Sequence, residues 1–296
     1  MSKDVEAEVK ANMEMIEVPR GLEAETEKFV ESVIKHDAYK NNEYKWGLGD
    51  FELGLRLGRG KFGKVYLARE KKTGFIVVLK SLTRKKLVEG SVENQTLREI
   101  EFQIQLKHPN ILQLFAWFHD SHRIYLVLEY ASEGELSKHL KNSPGGCFDE
   151  RLSAQYTYQV ADALNYYHQN NIVHGDVKLE NLFLTVNNAV KLRKRMLSGG
   201  SLNYLARDII EGMGYGNYVD YWSLGVLCYQ FLVGMPPFES EIHMKTFSKT
   251  QHVELSFPTH VTDGAKDLIT KLFVKPAHER ITFSEVMEHF WINKNM

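Results

Sequence analysis

His174-Gly175-Asp176-Val177-Lys178-Leu179-Glu180-Asn181 is the stretch around which the rest of this chain is read. An Asp, with a Lys two residues on and an Asn five residues on, sets a base, a phosphate-facing cation and a metal ligand on one loop. A plain polar loop after a helix is the competing reading, and it weakens as the upstream segments are added.

Upstream, Gly58, Gly60 and Gly63 are followed by Val65, giving G-x-G-x-x-G-x-V between two strand patterns. Glycines let a hairpin approach phosphates through backbone N–H groups with no Cβ in the way. An ordinary β-turn explains a lone triplet equally well. Lys80 ends the apolar run Val77-Val78-Leu79, where a buried ammonium needs anionic partners. Glu99, on the helical pattern that follows, is such a partner, and a solvated helix charge is the alternative for it.

Alternation marks Phe51–Leu57, Lys64–Arg69, Phe75–Leu82, Ile111–Phe118 and Ile124–Tyr130 as strands. Residues 94–106 place Leu97, Ile100 and Ile104 on one helical face. Beyond Gly134 the pattern is mainly helical, over 149–169 and near 218–233, 262–273 and 282–290. Strands followed by helices predict an α+β protein in two lobes, joined near Glu129–Gly134.

The chain has 296 residues, 43% hydrophobic and 25% charged, with 37 Lys plus Arg against 38 Asp plus Glu. That balance argues against a grip on nucleic acid through overall charge. Two cysteines, Cys147 and Cys228, are too few for a disulfide framework and fit a reducing compartment. The first ten residues hold no apolar core of a signal peptide, so secretion is not expected. The uncharged run Tyr221–Phe238 holds Gly225, Gly234, Pro236 and Pro237 and is too short and too broken to span a bilayer, so no membrane role is expected. Residues 1–50 are expected as an extension, partly helical or disordered, with an amphipathic candidate at Leu22, Phe29, Val30, Val33 and Ile34.

Taken in order, these motifs resemble the signature set of the eukaryotic protein kinases. Within them the chain resembles the Aurora family of Ser/Thr kinases, through Gly58–Glu70 (GRGKFGKVYLARE), Lys107–Leu112 (KHPNIL) and Gly225–Phe238 (GVLCYQFLVGMPPF). Phe118-His119-Asp120, Tyr130–Leu140 and Tyr156–Tyr166 look most like insect-type Aurora B. The likeness runs from about His36 to the end. It implies a kinase domain over 51–291, with a small β-rich lobe with one main helix at 51–130, a larger helical lobe at 131–291, and a tail at 292–296.

The resemblance also implies roles. Leu57, the three glycines and Val65 would cover ATP, Lys80 would meet its phosphates and Glu99 would pair with Lys80. Glu129 and Ala131 would offer backbone groups to adenine. Asp176 would be the catalytic base, Lys178 would neutralise the transferring phosphoryl group, and Asn181 would hold one Mg2+ ion. Glu135 and Glu180 match positions that bind substrate arginines. Asp220, Trp222 and Gly225 match a buried central helix, and Asp208 would pair with Arg280. The basic tracts Arg84-Lys85-Lys86 and 191–195 read as solvated loops. Implied partners are proteins with basic Ser/Thr sites, including histone tails, and an inner-centromere-protein-like activator, without direct nucleic-acid contact. Implied locations are the nucleus, centromeres, spindle and midbody, with a cytoplasmic pool.

The departures from the family pattern gather around the chemistry. After Val190-Lys191-Leu192 the family reads Asp-Phe-Gly, whereas this chain reads Arg193-Lys194-Arg195-Met196 and rejoins the pattern at Gly200–Leu205. The Asp that holds magnesium between the phosphates is missing. Leu197 or Ser198 stands at the activating threonine, and Gly175 replaces the Arg that grips it. Val78 and Phe183 add volume above and below the adenine slot, and overpacking of that kind costs about 1–3 kcal/mol. Two readings follow: an Aurora-type kinase with weakened or absent catalysis, or a pseudokinase that keeps the fold as a binding module.

Overall fold

A computed structural model of the chain describes residues 46–60, 62–194, 202–212, 214 and 216–296. The amphipathic candidate at 22–34 and the positions Leu197 and Ser198 lie outside these. The described chain divides into two compact units. One runs to Lys107 and resumes over Leu112–Ser132; the other holds His108–Ile111 and everything from Glu133.

The first unit is a five-stranded antiparallel sheet: β1 (Phe51–Arg59), β2 (Gly63–Glu70), β3 (Ile76–Thr83), β4 (Leu114–His119) and β5 (Arg123–Leu128), in the order β1-β2-β3-β5-β4. Alternation puts Phe51, Ala68, Val77, Leu79, Phe118, Tyr125 and Val127 into one core cluster. Phe118 is its centre, stacked on Phe51 at 5.8 Å and on Tyr125 at 4.9 Å between ring centroids. Two helices follow β3, α1 (Arg84–Glu89) and α2 (Glu93–Gln103). The basic tract at 84–86 therefore opens a helix rather than a loop, because Leu87 is fully buried and pulls that turn inward. The buried face of α2 is Thr96, Ile100 and Gln103, rotated slightly from the expected Leu97–Ile100–Ile104 stripe.

The expected strand 111–118 starts only at Leu114, and Ile111 belongs to the second unit. There it forms a parallel bridge with Leu192, while the Leu192 N–H donates to Asn110 O at 2.8 Å. The Asn110 side chain ties this point down, donating to Gln159 Oε1 and Val190 O, each at 2.9 Å.

The second unit is mainly helical: α3 (Leu136–Asn142), α4 (Glu150–Gln169), α5 (Arg207–Ile210), α6 (Tyr218–Val233), α7 (His243–His252), α8 (Asp263–Leu272), α9 (Phe283–Met287) and α10 (Phe290–Asn295). A small sheet accompanies them, β6 (Gly134–Glu135), β7 (Leu182–Leu184) and β8 (Val190–Leu192). Asp149 caps α4, its Oδ1 accepting the Leu152 N–H at 2.7 Å. Helix α6 carries the uncharged run of the sequence and is buried on nearly every side, which makes the run core. It stops at Gly234, whose φ of +90° only glycine adopts readily. Among the described residues no helix is long and apolar enough to cross a membrane.

The helix expected over 282–290 is broken at His289, whose Nδ1 accepts the Trp291 N–H at 3.3 Å and starts α10. That helix continues to Asn295, so the expected tail at 292–296 begins as helix, with Ile292 buried and Asn293, Lys294 and Met296 exposed. Arg280 and Asp208 meet at 2.6 Å with both side chains fully buried, and the guanidinium also lies over the Trp222 ring at 5.1 Å. The shorter Asp reaches with one oxygen, and Oδ1 is left without a hydrogen bond.

Asp220, in the first turn of α6, holds the 174–181 loop in place. It is fully buried, and its two oxygens accept the backbone N–H of His174 and of Gly175, each at 2.8 Å. The His168 ring bonds the same carboxylate at 2.8 Å. Burial pushes the Asp220 pKa up, but the His168 bond, the His174 ring and the two N–H groups together hold it below the ordinary value. His174 is buried beside it, and burial, reinforced by the Lys194 charge, lowers its pKa to about 4.

Two expectations about stability follow. Arg280→Ala leaves the Asp208 carboxylate buried and unpaired, and should cost about 3–5 kcal/mol in urea unfolding. For His174, the folded pKa lies below the unfolded one, so the unfolded chain binds the extra proton and stability falls as pH drops from about 6.5 towards 4. His174→Gln should remove about 2 kcal/mol of that loss between pH 7 and 5, read as a flatter dependence of the urea midpoint on pH.

Candidate active site

In the first unit the hairpin between β1 and β2 carries the glycines. The Gly60 N–H donates to Gly63 O at 2.9 Å. A Cβ on Gly63 would lie 1.6 Å from the Ser81 carbonyl oxygen, so this position is closed to any other residue by β3 itself. A Cβ on Gly58 or Gly60 would meet nothing within 4 Å, so packing in this unit does not demand glycine there. Leu57 is exposed, and Val65 sits in register between Gly58 on β1 and Lys80 on β3. Lys80 in turn is opposite Leu126 on β5. Strand pairing thus collects the glycine hairpin, Val65 and Lys80 on adjacent positions of one sheet.

Glu99 is half-buried on α2. Its Oε1 accepts from Gln95 Nε2 at 3.0 Å, and its Oε2 is buried with no hydrogen bond. At the end of β5, Glu129 is bonded twice to Gln113: its N–H donates to Gln113 O at 2.9 Å, and its Oε2 accepts the Gln113 N–H at 3.0 Å. Ala131 beyond it is buried. Val78 is half-buried, in register with Leu67 and Leu128.

In the second unit the loop read first in the sequence is compact. Lys178 Nζ lies 2.9 Å from Asp176 Oδ1, an ion pair whose angle is off-axis for a hydrogen bond. Asn181 Nδ2 donates to Asp176 Oδ2 at 2.9 Å and to Asp176 O at 2.6 Å. All three residues are buried. Asp176, Lys178 and Asn181 therefore form one cluster, while Glu180 faces outward on the same turn. The loop is braced on the other side by Tyr204, whose hydroxyl accepts the Leu179 N–H at 3.3 Å and donates to Gln230 Oε1.

Arg193 joins this cluster, which the sequence reading did not anticipate. Its Nη2 donates to Asn181 Oδ1 at 2.9 Å and to Glu180 O at 3.3 Å, and its guanidinium carbon lies 4.9 Å from the centroid of the Phe183 ring. The Asn181 amide orientation is settled by its neighbours, since the nitrogen faces acceptors of Asp176 and the oxygen faces a guanidinium donor. The tract 191–195, read as a solvated loop, is thus built in as far as Lys194. Lys191 lies in β8, and Lys194 Nζ donates to Val173 O at 2.5 Å and to His174 O at 3.1 Å. A signal for Arg193 existed in the hairpin register. Leu182 pairs with Leu192, so the next residue falls beside Asn181, and the Arg193 N–H donates to Asn181 O at 2.8 Å.

Magnesium, which protein kinases use with ATP, does not fit this donor set. Asn181 Oδ1 already accepts from a guanidinium. A divalent ion about 4 Å from that charge meets a repulsion of order 8 kcal/mol at an effective dielectric of 20. The Asp176 carboxylate is committed to Lys178 and Asn181. Among the described residues no group of three or more His, Cys, Asp or Glu is close enough to hold a metal.

Comparison with known proteins accords with this architecture. The protein kinase domain family matches residues 51–292. The chain is 49% identical over 275 residues to Aurora kinase B of Drosophila melanogaster, covering 89% of this chain and 83% of that protein. It is 44% identical over 265 residues to Aurora kinase B of Mus musculus, covering 86% and 76%. Against an Aurora kinase of Patiria pectinifera it is 46% identical over 263 residues, covering 85% of this chain and 65% of that protein. With its five-stranded antiparallel sheet, its helical unit and these identities, the chain belongs to the Aurora family of protein kinases, on the insect-like B side.

Proposed function

We propose that this chain is an Aurora-family binding module that transfers phosphate very slowly or not at all. The observation that carries this reading is the Arg193 guanidinium on Asn181 Oδ1, in a chain with no acid directly after Leu192. Phosphoryl transfer is mostly positioning and charge neutralisation, and the metal bridging the phosphates supplies much of the latter. Loss of one preorganised electrostatic group in an enzyme typically costs about 10²–10³ in rate. Here a metal ligand is missing and a fixed cation stands on the other. Gly175 adds to this. Its φ of +71° is kept by the Asp220 anchor, but it carries no guanidinium to grip a phosphorylated activation segment.

What this chain retains supports binding. Strand pairing collects the glycine hairpin, Val65 and Lys80, and Glu129 and Ala131 follow β5. On this reading ATP, if taken up, meets the first unit through those groups. The partners are those of the family: an inner-centromere-protein-like activator and proteins with basic Ser/Thr segments, including histone tails, with Glu135 and Glu180 facing substrate arginines. Residence at centromeres, the spindle and midbody follows from such partners.

A second reading, an active Ser/Thr kinase of mitosis and cytokinesis, is favoured by one observation. Asp176, Lys178 and Asn181 keep a tight mutual geometry suited to base, cation and positioning group. In that case Asp176 would accept the substrate hydroxyl proton and Lys178 would steady the charge on the transferring group.

Phosphate transfer from Mg-ATP to a basic Ser/Thr peptide, with the activator segment present, separates the two. The chain and its Asp176→Asn variant should show rates equal within about twofold, because no base-dependent transfer remains to be lost. A rate that falls by about tenfold or more in the variant would establish the active reading. Fluorescence anisotropy with a labelled activator segment should show saturable binding to both proteins alike, and no binding to either would remove the module reading.

A further inference from the structure

We infer that Arg193 is a built-in cation standing where a divalent metal would sit on Asn181, and that the helical unit consequently accepts the phosphates of a nucleoside triphosphate without metal. The inference deepens the proposed binding role and rests on it.

The side chain is held on several sides. Its Nη2 reaches Asn181 Oδ1 at 2.9 Å and Glu180 O at 3.3 Å, and its guanidinium lies over Phe183 at 4.9 Å. Its backbone is fixed as well, the N–H on Asn181 O at 2.8 Å and the carbonyl accepting from His174 Nε2 at 3.2 Å. A group so placed is preorganised, and little side-chain entropy is left to lose when an anion arrives.

The charges near it complete the site. Asp176 and Lys178 cancel one another at 2.9 Å, so the cluster Asp176, Lys178 and Arg193 carries a net charge of about +1 with no metal present. His174 stays neutral at pH 7 and adds nothing. Guanidinium is planar, weakly hydrated and shaped for phosphate oxygens, which makes it a better stand-in than an ammonium. It is also only half-buried, so phosphate can reach it. In return, the same charge repels the divalent ion that a triphosphate normally brings.

The test is an equilibrium titration of the full chain with a fluorescent N-methylanthraniloyl ATP, in excess EDTA and in excess magnesium chloride. Binding in EDTA should be at least as tight as in magnesium, and Arg193→Met should weaken binding in EDTA by about tenfold or more. Arg193→Lys, which keeps the charge but not the fork, should fall between them. A constant at least about tenfold lower in magnesium, an Arg193→Met variant that binds unchanged, or no saturation in either buffer would each overturn the inference. The comparison of buffers on the unaltered chain needs no variant, so a misfolded Arg193→Met leaves the test standing. Transfer to peptide is a separate measurement. Its appearance would overturn the module reading whatever the titration gives, and the metal dependence alone decides the role of Arg193.

Discussion

A single buried carboxylate, Asp220 on the first turn of α6, holds the backbone on which the candidate site is built. It accepts two consecutive backbone N–H groups, those of His174 and Gly175, and a bond from the His168 ring. Taking a carboxylate wholly out of water is costly, and only several donors together offset that cost. The three contacts supply them. The loop that follows is then directed so that Asp176, Lys178 and Asn181 converge within one short turn. Helix α6 can carry this acid because the rest of its surface is packed core, including Trp222, Leu224 and Phe231.

With the loop direction set, the fate of the chemistry depends on what arrives from β8. The hairpin of β7 and β8 delivers residue 193 beside Asn181 by simple register. In this chain that residue is an arginine. Its charge and length let it cross to the amide oxygen and stack on Phe183 at once. The following Lys194 turns back and donates to the carbonyls of Val173 and His174, which also helps to keep His174 uncharged. Two cations therefore occupy the region in which a phosphotransferase keeps an acid. A fold that preserves the loop and an electrostatic arrangement that opposes the metal stand side by side in one unit.

Much of the architecture was legible in the residues. The five-stranded sheet, α4 and α8 follow from period-2 and period-3.6 patterns, while the buried helix α6 and the Asp208–Arg280 pair were implied by the family resemblance. The errors have physical causes. Ile111 reads as strand, but its backbone pairs with Leu192, a partner about eighty residues away that no local pattern reveals. The break at His289 depends on its ring capping the next helix, an effect of side-chain direction. The burial of Leu87 turned a basic loop into a helix. At the candidate site, the spacing of Asp176, Lys178 and Asn181 put them on one loop, and they do converge, because five residues on one turn are local. Arg193 was not foreseen there, because its contact needs the register of two strands.

The sequence by itself determined the class of fold, the family, the identity of the loop residues and the absence of an acid after Leu192. These are properties of local pattern and of which atoms the chain contains. Only the tertiary structure decided that the Asp208 side chain reaches Arg280 with one oxygen, that Gly63 is closed to any Cβ by Ser81, and that Arg193 rather than solvent meets Asn181. Each of these depends on strand register or packing, which set the distances between side chains on different elements and which residue spacing alone does not contain.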